Sequence, residues 1–116
     1  MSLSRAEVIR LSFGVEELQE SGYFGYRMAV WIALILTREC AKVLDDESRV
    51  RLAIAAGTAA EMGDNSLAVL AIRVIDPLLS GISVGIFKID VGDLEELNLI
   101  RGRLNHSVGR HALPAG

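Results

Sequence analysis

The chain has 116 residues, a formal net charge of −3 and 51% hydrophobic residues, with a mean hydropathy of +0.37. This length supports one domain with one modest core, and the apolar share exceeds what such a core hides, so part of it is expected to meet a partner. An acidic balance without a Lys/Arg cluster argues against nucleic acid, and the single cysteine, Cys40, excludes an internal disulfide and a cysteine-based zinc site.

The longest charge-free runs, "MAVWIALILT" and "PLLSGISVGIF", are far shorter than the roughly 20 apolar residues of a bilayer-crossing helix. The start, "MSLSRAEVIR", lacks the apolar run of a secretory signal. The expected location is the cytoplasm, with no membrane span.

Helix signals dominate. Ser4 and Glu7 have the spacing of a capping box, and Val8, Leu11, Val15 and Leu18 follow on one stripe, so helix one is expected to end near Ser21 and Gly22. "RMAVWIALILTRECAKVL" is apolar on every side through its first half and reads as a central helix with neighbours all around. Asp45 and Asp46 open a third helix, "ESRVRLAIAAGTAAEM", and Asp64 or Asn65 opens a fourth, "NSLAVLAIRVI", which Pro77 is expected to close. "SGISVGIFKID" has the Ile and Val content of a strand. Asp93 with Glu96 opens a last helix, "LEELNLIRGRL", and residues 109–116 read as a frayed tail after a single domain over 1–108.

Gly22, Gly63 and Gly92 each follow an amphipathic helix and stand a residue or two before a helix whose first turns are apolar, 41 and 29 residues apart, which brackets the ~34-residue period of tetratricopeptide (TPR) hairpins. Small residues recur around them: Gly85 lies seven positions before Gly92, Ala56 beside Gly57 seven before Gly63, and Ala68 five after Gly63. The fold class is therefore all-α, a degenerate TPR-like stack of about three hairpins with five to six helices, and "SGISVGIFKID" is better taken as helix, with Gly85 at a close crossing. A plain helical bundle is the alternative, since Gly-Asp between helices is a common C-cap and N-cap pair.

Chemistry-bearing patterns are sparse. Arg101 and His106 have the R-x4-H spacing of some helical ribonucleases, but Gly102 stands where that chemistry uses an acidic or polar residue. His111 falls in the tail. The acidic groups sit at helix starts or on solvated faces, where capping explains them without a metal. No catalytic residue, metal or cofactor is assigned, and the chain is not expected to be an enzyme.

The segments "SGYFGYRMAVWIALI" with Ala29 and Trp31, "AAEMGDNSLAVLA", and "VGIFKIDVGDLEELNLIRGRLN" with its terminal Arg-x-Arg-Leu-Asn resemble the larger chaperone of the type III secretion needle subunit, the YscG/PscG family, over residues 6–107. The stretch between Trp31 and Gly63 is longer than that resemblance implies. It implies a cytosolic chaperone that lays the amphipathic C-terminal helix of the needle subunit in an apolar concave groove and prevents premature polymerisation, while a small helical co-chaperone packs near the N-terminal hairpin. Counting from the turn glycines places the partner-binding positions at Val50, Ala53, Gly57, Leu79, Ile82, Ile86 and Ile89, about half of them expected to be core. The rival readings are a homodimeric helical bundle that buries its surplus apolar surface against itself, and the R-x4-H ribonuclease. A homo-oligomer is expected of the isolated chain.

Overall fold

The computed structural model describes residues 3–112, with side chains as far as Val108. Among the described residues are five α-helices and no strand: α1 (Arg5–Glu20), α2 (Tyr23–Glu39), α3 (Asp46–Met62), α4 (Asn65–Ser83) and α5 (Val91–Ala112), with a 3-10 turn at Ala41–Val43.

Local chemistry starts the helices where the sequence places them. The Ser4 hydroxyl accepts from the Glu7 N–H at 3.2 Å, Asp45 from the Ser48 N–H at 2.8 Å, and Asp64 from the N–H groups of Ser66 and Leu67 at 3.1 and 3.3 Å. Each of these satisfies donors that the first helical turn leaves free.

Every helix packs on the next and on the next but one: α1 on α2 and α3, α2 on α3 and α4, α3 on α4 and α5, α4 on α5. Two layers result, α1–α3–α5 and α2–α4. This is a stack of helical hairpins in TPR-like order, with two complete hairpins and a fifth helix closing the end.

The central helix is α3 rather than α2. It contacts all four others, and Leu52, Ala53, Ala55, Ala56, Gly57, Ala59 and Ala60 are buried along it. Small side chains let four neighbours approach, whereas the larger residues of α2 leave one face of that helix uncovered. Core partners from the other helices include Val8, Val15, Val30, Leu67, Ile75, Leu97, Ile100 and Leu104.

The second half of the chain departs from expectation in linked ways. Pro77 does not end α4, which continues to Ser83. It lies on the exposed face, and Leu78 and Gly81 beyond it are buried, so packing offsets the backbone hydrogen bond that proline cannot donate. Residues 84–90 are turn and loop rather than helix. Gly85 has φ +82°, and the bonds Ile86 N–H to Gly81 O (2.7 Å) and Gly85 N–H to Ile82 O (3.1 Å) form a Schellman motif. Gly85 therefore ends a helix and does not pack in one. The close approach belongs to Gly81, where a Cβ would strike the Phe87 ring that folds back over it. Gly92 is likewise no turn, because α5 already begins at Val91, with Asp93 inside its first turn. The glycine repeat holds at Gly22 and Gly63 only. Helix α5 extends to Ala112, into the segment read as a tail, and residues 113–116 lie outside the described residues.

Helix α4 alone is long and apolar enough to cross a membrane by length and composition, among the described residues. It also carries Arg73 and Asp76 and packs on α2, α3 and α5.

Candidate interaction surfaces

Four large side chains, Phe24, Met28, Trp31 and Ile35, stand in a row on α2 and are 82%, 52%, 46% and 52% exposed. Their intervals of four, three and four residues keep them on one face through three turns, about 17 Å of helix. The rest of α2 is accounted for: Gly25, Ala29, Val30, Ala33, Leu34 and Leu36 are buried against its neighbours. Tyr23, half exposed, extends the row, with its ring edge-on to Phe24 at 5.9 Å. The outer face of the first hairpin thus presents a narrow apolar seam to solvent.

Of the positions expected to line a groove, Val50 (5% exposed), Ala53 (0%) and Gly57 are core. Gly57 in particular lies under Ile100 of α5 and beside Ile75 of α4. They support the crossings of α3 with its neighbours and offer no surface. Leu79, Ile82 and Ile89 are half-buried against the core. Ile86 is 69% exposed, in the α4–α5 loop, near exposed Val84 and Val91.

The α1–α3–α5 face, where the apolar groove is expected, is instead crossed by charges. Arg51 bonds Glu16 at 2.9 Å and Glu47 at 3.3 Å and lies 4.0 Å from the centre of the Phe13 ring, tying α1 to α3. Arg103 pairs with Glu61, tying α5 to α3. An apolar helix laid here would have to desolvate both sets.

The R-x4-H pair is separated. Arg101 is held on α4 by Asp76, with contacts of 2.5 and 3.2 Å, while His106, five residues on, projects about 140° round the helix. His106 borders an open cleft of about 670 Å³ lined also by Glu61, Leu99, Gly102, Arg103 and Ser107. Glu61 is already taken by Arg103, and the consecutive His106 and Ser107 diverge on the helix, so the cleft holds no nucleophile paired with a base.

In comparisons with known proteins, no family model, no curated protein and no solved structure matches the chain.

Proposed function

We propose that this protein is a non-catalytic helix-binding module, and that the outer face of α2 seats an amphipathic helix of a small helical partner. The exposed row Phe24, Met28, Trp31 and Ile35 carries this reading, because its spacing is that of a seam packed by a second helix. With Tyr23, the row exposes on the order of 600 Å², taking ~150–250 Å² for a whole aromatic side chain. That is most of the ~800 Å² that one partner contributes to a standard interface.

The resemblance found in the sequence gives the proposal its specific form, a cytoplasmic chaperone of type III secretion. The α2 face then belongs to the small co-chaperone, expected at the N-terminal hairpin. The amphipathic C-terminal helix of the needle subunit is covered at the opposite end, along Leu79, Ile82, Ile86 and Ile89.

The test is co-expression with a needle subunit and its small co-chaperone, followed by light scattering on the purified species. A stoichiometric complex is expected, and Trp31, the only tryptophan, should shift its emission to the blue as the seam is covered. Met28→Asp should weaken the complex by about 2–4 kcal/mol, the range of interface anchors. Absence of a complex, or an unchanged affinity in Met28→Asp, defeats the reading. A homodimer is the competing outcome, since the four-three-four intervals read alike in both directions and make the face self-complementary when antiparallel.

A further inference from the structure

Nine arginines have described side chains, and five of them, Arg5, Arg27, Arg51, Arg101 and Arg103, are ion-paired. Of the remaining four, Arg38, Arg49 and Arg73 line one cleft of about 110 Å³ between the end of α2, the start of α3 and the middle of α4. Among the described residues no carboxylate lines it; the other walls are Thr37, Val74, Pro77, Leu78 and Phe87. In a chain with more acids than bases, three cations around one small cleft are unlike the pairing found elsewhere on its surface.

Arg49 shows that the cleft is built. Its Nη2 donates to the Ala41 carbonyl, and its guanidinium lies 4.6 Å from the centre of the Phe87 ring, so the 3-10 turn and the α4–α5 loop hold it from two sides. Its Nε is buried without a hydrogen-bond partner. A buried donor of a charged group left unpaired is unfavourable, and three cations close together repel. Arg38 also complements the α2 dipole from its last turn, but that leaves Arg49 and Arg73 unexplained.

We infer that this cleft binds a phosphate monoester group, with Arg38, Arg49 and Arg73 on its oxygens and Val74, Pro77 and Phe87 against the carbon beside it. Three guanidinium groups match a dianion with three free oxygens better than they match a single carboxylate. The volume admits the phosphate and little more, so the rest of the ligand lies outside.

Phenyl phosphate titrated into the full chain at constant ionic strength, followed calorimetrically, tests this. Saturable one-to-one binding is expected, weakened roughly tenfold or more in Arg38→Gln and in Arg73→Gln. Both side chains are exposed, so circular dichroism should show both variants folded. Arg10→Gln, which removes the fourth unpaired arginine at a site away from the cleft, should bind like the parent. Benzoate should bind at least about tenfold more weakly than phenyl phosphate. A phosphoserine peptide binding more tightly than phenyl phosphate would support the site and assign the group to a modified side chain rather than a small metabolite. No saturable binding, an equal loss in Arg10→Gln, or equal binding of benzoate would overturn the inference.

Discussion

Ile100 of α5 rests on the bare backbone of Gly57 in α3, so close that a Cβ at residue 57 would meet its Cγ2 and lie 3.2 Å from Cδ1 of Ile75. Alanine is the better helix former by about 1 kcal/mol, but overpacking a tight crossing costs about 1–3 kcal/mol. Gly57→Ala is expected to lose about 1–2 kcal/mol in urea unfolding, and Ile100→Ala, which removes the Cγ2 methyl, to cost less in that background than in the parent. A Gly57→Ala protein more stable than the parent would show that the crossing has slack.

Gly85 and Gly92 should respond in opposite directions. At φ +82° an alanine is strained, so Gly85→Ala is expected to cost about 1 kcal/mol or more, with Gly85→Asn milder. Gly92 is helical, and a methyl group there would meet nothing within 4 Å, so Gly92→Ala should gain up to about 1 kcal/mol. Paired thermal melts decide the point, and a loss at Gly92 would return it to a turn.

Acid should loosen the starts of α3 and α4. The Ser48 hydroxyl and N–H, with Arg5 beyond them, hold the Asp45 carboxyl below its usual value, and the Ser66 hydroxyl, the Leu67 N–H and Arg27 do the same for Asp64. A depressed folded pKa means that the caps contribute fully above the ordinary carboxylate value of about 3.9 and are lost as pH falls through the folded values. Melting temperature should therefore hold down to about pH 5 and drop below about pH 4. In Asp45→Asn that drop should be shallower, because the cap no longer titrates. An equal acid slope in the variant would remove Asp45 from the account.

Charge placed on the apolar positions should separate surface from core. Met28→Asp and Ile86→Asp change exposed sites, so each should keep its melting transition within about 0.5 kcal/mol and reduce self-association in light scattering. Val50→Asp and Ala53→Asp put an unpaired carboxylate into the core and should abolish the transition. If Ile86→Asp unfolds the protein, the α4–α5 loop is packed more tightly than its exposure indicates.

Much of the first half was legible from local signals. Ser4, Asp45 and Asp64 cap the helices that follow them, and the hairpin turns fall at Gly22 and Gly63. The second half misled where one residue type serves two purposes. Glycine suits both a close crossing and a left-handed C-cap, so Gly85 and Gly81 are interchangeable until the Phe87 ring is placed over Gly81. Proline disfavours a helix interior, but at Pro77 the helix continues because Leu78 and Gly81 are buried beyond it.

By itself the sequence determined that the chain is helical, where three of its helices begin, and that its apolar content exceeds the needs of one core. Those properties are local or compositional: a cap needs only the next turn, and hydrophobicity is a sum. The tertiary structure alone decided which apolar residues are left over. Helix α2 is apolar on nearly every side, so no periodicity in its sequence marks the Phe24–Met28–Trp31–Ile35 face as different from the faces that hold Ala29 and Leu34. Exposure is set by what neighbouring helices cover, and the small residues of α3 drew α1, α2, α4 and α5 around α3 instead.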